Sequence, residues 1–324
     1  MIRAERLLNP SSVPETLWQP NSNILFIPPA LAKSYATVID RNGLRSLSEM
    51  RTSEEGPVGG RTKALTDQHF AQAFDGSMAR MELALLDPLL DATPTSNALI
   101  LSLAGNTLCL TDAPCGSGAA AFTLLATIAE LRANQVLPRL PLDILLIGAE
   151  ISAPARIYAA EILSELRPSL EEQGIFVEED FRDWDVSDPL SNTDLISKVT
   201  LKAAKASRRL LVVANFNGFL EKYGKRKQAA PQISELFRHS SGMNSVAIWL
   251  EPDMNRATGP GGLFQWLRDS TATVWNRFAR KADESTEDKP VCTCSARFAL
   301  PLRPHRNARV GLAVMRIDLV RADL

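Results

Sequence analysis

The sequence carries no excess of charge of either sign. Its 36 Lys and Arg residues face 37 Asp and Glu, a formal net charge of −1 at pH 7. With a sequence pI of about 6.4, no global basic field advertises a nucleic-acid partner, and only a local basic patch stays open. Cysteine is scarce: Cys109, Cys115, Cys292 and Cys294 are the four. That number in 324 residues excludes a disulfide scaffold and fits a reducing, intracellular setting. The opening "MIRAERLLNPSSVPE" lacks an apolar stretch long enough for a signal peptide. No uninterrupted apolar run reaches the roughly 20 residues of a membrane span. A soluble, cytoplasmic protein is expected, with no membrane partner. There is no internal repeat and no low-complexity tract.

What is present is a chain that is 45% hydrophobic, enough for a sizeable core in one large domain or a main domain with an attachment. The first 65 residues read poorly, with prolines at 10, 14, 20, 28 and 29 and a loop-like "RTSEEGPVGGR". In "TDQHFAQAFDGSMARMELALLDPLLDA", Phe70, Phe74, Met78 and Met81 recur at helical spacing, with Thr66 and Asp67 as N-cap candidates. Gly76 leaves one long helix or two shorter ones open.

From residue 97 the pattern turns regular. "ALILSLA" and "TLCLTDA" read as strands, followed by a glycine turn and an alanine-rich helix from Ala119. "LDILLIGAE" is a continuous apolar run, as expected of a strand buried on both faces of a parallel sheet. A helix follows with Ser152 as N-cap, Pro154 in its first turn and Gly174 past its end. "IFVEEDF", "LLVVANF" and "NSVAIWLEP" give three more strands. Phe264, Leu267, Val274, Trp275 and Phe278 form a helical stripe read as core. After the charged link "KADESTEDKP" come "CTCSARFAL" and "RVGLAVMRIDL", joined by so short a connection that they must be antiparallel. Alternating strands and helices imply an open, mostly parallel α/β sheet with right-handed crossovers.

The turn in "LTDAPCGSGAAAF" is the most informative stretch. Gly116 and Gly118 let backbone approach a ligand at a helix N-terminus. Glu150, ending the second strand, is placed to accept hydrogen bonds from ribose hydroxyls, and Asp180, ending the third, lies where an adenine edge would sit. Three strands thus deliver suitable groups to one carboxyl edge, where such sheets bind ligands. The nucleoside is either NAD or S-adenosylmethionine. "GSGAAA" meets the dinucleotide fingerprint only loosely. Asp112 would repel a pyrophosphate and welcome an aminoacyl-sulfonium ligand, which favours S-adenosylmethionine.

"DAPCGSG" resembles the first motif of class I S-adenosylmethionine-dependent methyltransferases, in the subtype with proline in place of the first glycine. "LLIGAE", "VEEDF", "LLVVANFNGFL" and "SVAIWLEP" are similar to the later segments of that superfamily, over about residues 97–324. The resemblance implies a seven-stranded Rossmann-like sheet with an antiparallel C-terminal strand, residues 96–324 forming the cofactor-binding domain. Residues 1–95 would be a mainly helical or irregular extension serving as cofactor lid or substrate segment. S-adenosylmethionine is the implied cofactor. Asp112, Ala113, Pro114, Gly116 and Gly118 would face its methionine end, and Glu150 with Ile151 its ribose. Asp180 would hold adenine and Phe181 cover it. Asn215 and Phe216 would line the methyl-transfer side as the catalytic pair. Related enzymes place a closing segment before the core, so Ser77 and Arg80 are expected at the cofactor carboxylate or the acceptor.

The acceptor is not legible: small molecule, protein and RNA all stay open, as does the oligomeric state. "ANFNG" offers no obvious general base. The basic stretches "EKYGKRKQ" and "RFALPLRPHRNAR" could approach a phosphate, although solvated loops are the simpler reading. His239 and His305 read as surface residues, with a role as base open to either. Cys292 and Cys294 form C-x-C on one strand face with no second pair to complete a zinc site. Cys115 sits at a helix N-terminus, which could lower its pKa, while the family resemblance implies a packing role. Two rivals remain: a methyltransferase-fold scaffold without catalysis, and a nicotinamide-dependent oxidoreductase.

Overall fold

A computed structural model describes residues 6–50, 59–104, 106–252, 257–270 and 291–319. The expected residues Val274, Trp275 and Phe278 and the link at 281–290 lie outside the described residues. In chain order the first elements are β1 (Trp18–Gln19), β2 (Ile24–Phe26), α1 (Pro29–Arg41), α2 (Arg45–Glu49), α3 (Lys63–Leu86) and α4 (Thr93–Leu103). The alternating part runs β3 (Thr107–Asp112), α5 (Ala119–Ala133), β4 (Leu142–Ala149), α6 (Ala153–Glu172), β5 (Ile175–Arg182), α7 (Pro189–Ala203) and β6 (Arg208–Ala214). It ends with α8 (Asn217–Lys222), α9 (Arg226–Ser240), β7 (Ser245–Glu251), α10 (Leu263–Ser270), β8 (Val291–Leu300) and β9 (Arg303–Asp318).

All the strands join one sheet in the order β1-β2-β8-β9-β7-β6-β3-β4-β5. From β7 through β5 the pairings are parallel, while β9 runs antiparallel to both β7 and β8. This is the mixed, mostly parallel α/β sheet that the sequence pattern implies, seven strands of it in the alternating part. The N-terminal region adds more than helices: β2 pairs with β8 and β1 with β2, covering an edge that would otherwise stay open. The chain order reverses between β3 and β6, which opens a crevice at the carboxyl ends of those two strands.

Each face of the sheet carries its own core. On one side α1, α3, α4, α5 and α6 bury residues such as Tyr35, Phe70, Met78, Leu99, Phe122 and Leu163. On the other, α7, α9 and α10 pack Leu195, Phe237 and Phe264 against Trp249 and Met315. The strand expected at "ALILSLA" is part of α4 instead. Seven apolar residues do not distinguish a buried strand from a buried helix. Here Pro94 starts a helix, and Leu99, Ile100 and Leu103 share its buried face. Residues 63–86 form one continuous helix through Gly76. Its N-cap is Thr62, whose side chain accepts from Leu65 N, so Thr66 and Asp67 lie inside the helix, past the cap.

Candidate functional site

Three strand ends build the floor of a cavity of about 370 Å³ in the crevice. β3 delivers Asp112 and the turn at 113–118, β4 delivers Glu150, and β6 delivers Asn215. The turn needs its glycines. Gly118 has φ +87, and a Cβ there would lie 2.1 Å from the Phe122 ring; Gly116 has φ +53 with open space beyond it. Gly116 N donates to Glu150 Oε2 at 3.1 Å while Ser152 N donates to Oε1 at 2.8 Å. Glu150 therefore braces the glycine turn against the start of α6. Burial raises its pKa, against the pull of those backbone N–H groups.

Asp112 is only partly satisfied. Its Oδ2 accepts from Ala121 N at 3.3 Å, but among the described residues its buried Oδ1 has no partner. Burial, helped by the field of Glu150, pushes its pKa up to about 8. An unpartnered carboxylate oxygen in a cavity wall is a receptor for a cation.

The roof is α3. Thr66, His69, Ala73, Ser77 and Arg80, three or four residues apart along one face, all line the cavity. At one end, the Thr66 and Ser152 hydroxyls lie 2.7 Å apart. At the other, Arg80 Nε donates to Asn215 Oδ1 at 2.8 Å and Asn215 Nδ2 donates to Ser77 Oγ at 3.1 Å. Asn215 holds φ +55, a left-handed conformation that asparagine tolerates better than most residues. Burial lowers the Arg80 pKa to about 10, opposed by Glu251 and Asp75, so the guanidinium stays cationic at neutral pH.

Of the residues expected at the site, the structure brings Ser77, Arg80, Asp112, Pro114, Gly116, Glu150, Ile151, Asn215 and Phe216 to this one cavity. Ala113 and Gly118 do not line it: Ala113 N is bound to Val212 O, and Gly118 caps α5. Asp180 and Phe181 are likewise not among the residues that line it. The register sets Asp180 opposite Ile147 and Phe181 opposite Gly148, short of the carboxyl edge. Asp180 is ion-paired with Arg182 at 3.1 Å, and the Phe181 ring lies against Gly148. The chain reaches the cavity a little later, with Trp184, Asp185 and Val186. Asp185 is held by Ser187 and by an ion pair to Arg61.

Sequence reasoning passed over two further residues. His69 faces the cavity from α3, and burial, with the charge of Arg80, lowers its pKa to about 4, so it is neutral. Glu251, fully buried at the end of β7, accepts from Phe216 N, Asn217 N and Trp249 Nε1 and so caps α8. Its second oxygen has no partner among the described residues, and burial raises its pKa to about 7. A strand ending in an acid was the signal for Glu251; His69 stood in a helix pattern that gave none.

The Cys115 thiol pKa is pushed well up by burial and by Asp112 and Glu150, so it stays a packed thiol. Among the described residues no group of three or more metal-ligating side chains forms, and no helix is long and apolar enough to cross a membrane.

No family model and no curated protein matches the chain. Among solved structures it is similar to a candidate class I S-adenosylmethionine-dependent methyltransferase of Listeria monocytogenes. The two are 10% identical, the match covers 92% of this chain and 88% of the other, and the TM-score is 0.37. So loose a likeness carries no weight beside the strand order and the cavity.

Proposed function

We propose that the protein binds S-adenosylmethionine in the cavity under α3 and transfers its methyl group to an acceptor. The observation that carries this reading is the unpartnered Asp112 Oδ1 at the glycine turn, with the Arg80 cation in the same cavity. A carboxylate and a guanidinium in one cavity suit the ammonium and carboxylate of an amino-acid group. In this reading Asp112 takes the ammonium, and the Gly116 turn gives the ligand close backbone. Arg80, steadied by Asn215 and Ser77, takes the carboxylate. Glu150 and Ile151 hold the ribose, and Trp184, Asp185 and Val186 flank the adenine. Asn215 and Phe216 line the transfer side. Residues up to 95 supply the roof, and residues from 96 onward the floor.

When bound, the cofactor supplies an already activated methyl group, so the protein contributes chiefly position and exclusion of water. The α3 roof, tied down at Thr66 and Arg80, serves the exclusion.

Calorimetric titration with S-adenosylmethionine, S-adenosylhomocysteine and NADH tests the reading. Binding of the first two, lost in Asp112→Ala and weakened in Glu150→Ala, is the expected result. Preferential binding of NADH would replace the proposal with an oxidoreductase. One observation favours a non-catalytic variant of the same reading: the Asn215 amide already accepts from Arg80 and donates to Ser77, both on the roof helix. Cofactor binding without methyl transfer to any fraction of a cell extract, followed with radiolabelled methyl, would establish that variant.

A further inference from the structure

The β8–β9 hairpin carries a concentration of positive charge that the neutral composition hides. Ala313 pairs with Glu251 at the end of β7, so residues 303–312 run on past the carboxyl edge of the sheet, the end at which the cavity opens. Opposite it β8 runs on from Thr293 to Leu300, roughly 23 Å at about 3.3 Å per residue, with a register break between Ala299 and Leu300 and with β2 paired along residues 297–299. One of its faces is buried by Cys294, Ala296, Phe298, Val310 and Leu312. The other face exposes Arg297 and Arg309; toward the turn His305 and Arg306 are exposed, while Arg303 is half-buried, near enough for its charge to act on Asp75 and Tyr35.

Arginines elsewhere in the protein are largely neutralised. Arg6, Arg41, Arg45, Arg156, Arg167 and Arg226, for example, each pair with a carboxylate. Among the described residues none of Arg297, Arg303, Arg306 and Arg309 has a carboxylate within ion-pair distance, although the field of Arg303 reaches Asp75. Arg297 also stands directly opposite Arg309 in the antiparallel ladder. Like charges so placed destabilise a sheet, and the ladder offers no internal compensation for them.

We propose that this hairpin face is a docking surface for the phosphodiester backbone of a nucleic-acid strand. Guanidinium groups bind phosphate through two parallel hydrogen bonds, and neighbouring phosphates on a strand would neutralise the opposed pair. A lipid surface fits less well, since no large apolar side chain is exposed on β8 or β9 to insert into it. The inference does not rest on the cofactor reading. It adds to it an acceptor class brought to the cavity's end of the sheet.

The test is fluorescence anisotropy with a labelled mixed-sequence RNA strand of about 20 nucleotides, and with DNA of the same sequence, over a range of salt. The wild type should bind, with affinity falling steeply as salt rises. Arg297→Thr/Arg309→Thr should lose about tenfold at low salt, and the variant that also carries Arg303→Ser/Arg306→Ser should lose more and flatten the salt slope by up to about 3. The double variant should unfold at a temperature no lower than the wild type, because it removes a repulsion; this separates lost docking from lost structure. No binding of either strand, unchanged affinity in the variants, equal displacement by poly-glutamate, or preference for phosphatidylserine vesicles would overturn the proposal. S-adenosylhomocysteine titrations on the same samples report separately on the cavity.

Discussion

Asp112 is a carboxylate held where ionisation is expensive until a cation arrives. Its folded pKa of about 8 lies above the ordinary aspartate value of 3.8, so the folded chain binds an extra proton between those limits. The associated stability is complete below about pH 4 and is lost as pH rises through about 8. A ligand ammonium should ionise the group, so S-adenosylhomocysteine binding near pH 7 should release close to one proton. Calorimetry in two buffers of different ionisation enthalpy measures that release, and Asp112→Asn should abolish it and weaken binding at least tenfold. Glu82 has the same physics without a cavity: it is fully buried on α3, neither oxygen has a partner among the described residues, and burial raises its pKa well up. Glu82→Met should therefore stabilise the protein by roughly 1–3 kcal/mol, and by more at pH 9 than at pH 5 in urea melts. Asp112 and Glu150 were legible because the glycine turn and a strand's end flag them locally. Asp180 was misplaced because a strand's end is not written in its apolar pattern: β5 runs to Arg182, which leaves Asp180 inside the ladder.

At the scale of elements, the turn between β3 and α5 and the long roof helix decide what the cavity can hold. Gly118→Ala would force a Cβ into the Phe122 ring at a left-handed φ, so it should cost several °C of melting temperature along with ligand affinity. Gly116→Ala meets open space, so only the φ penalty of about 1 kcal/mol applies. Comparing the two variants separates strain from packing. Arg80 ties α3 to Asn215. Arg80→Ala should weaken S-adenosylhomocysteine binding about tenfold or more, since an ion partner and a roof contact go together. Unchanged affinity would remove Arg80 from the site. Elements with strong punctuation were legible: Ser152 and Gly174 bracket α6 as expected. Those without it were not. The two- and three-residue strands β1 and β2 have no period to read and exist only because β8 offers them an edge.

The whole molecule is built so that its N-terminal third is not an appendage in the energetic sense. Leu17, Trp18, Leu25, Tyr35, Phe70 and Met78 belong to the same continuous core as Leu110, Phe122, Leu146 and Leu312. The α3 helix contacts α5, α6, β8 and β9 as well as its own neighbours. A chain of residues 96–324 would therefore expose the core face of α5 and α6, the unpaired β8 edge and the floor of the cavity at once. Surfaces of that size and kind drive association between chains. The fragment should be insoluble or aggregated when produced alone, and supplying residues 1–95 as a separate chain in the same cells should recover soluble complex, read by co-purification on a tag carried by one part. A fragment that is monomeric, cooperatively folded and able to bind S-adenosylhomocysteine with full affinity would show instead that the roof contributes neither core nor ligand contact. In that case Thr66, Ser77 and Arg80 would have to be removed from the site together, leaving the cofactor reading to stand on Asp112, Gly116 and Glu150.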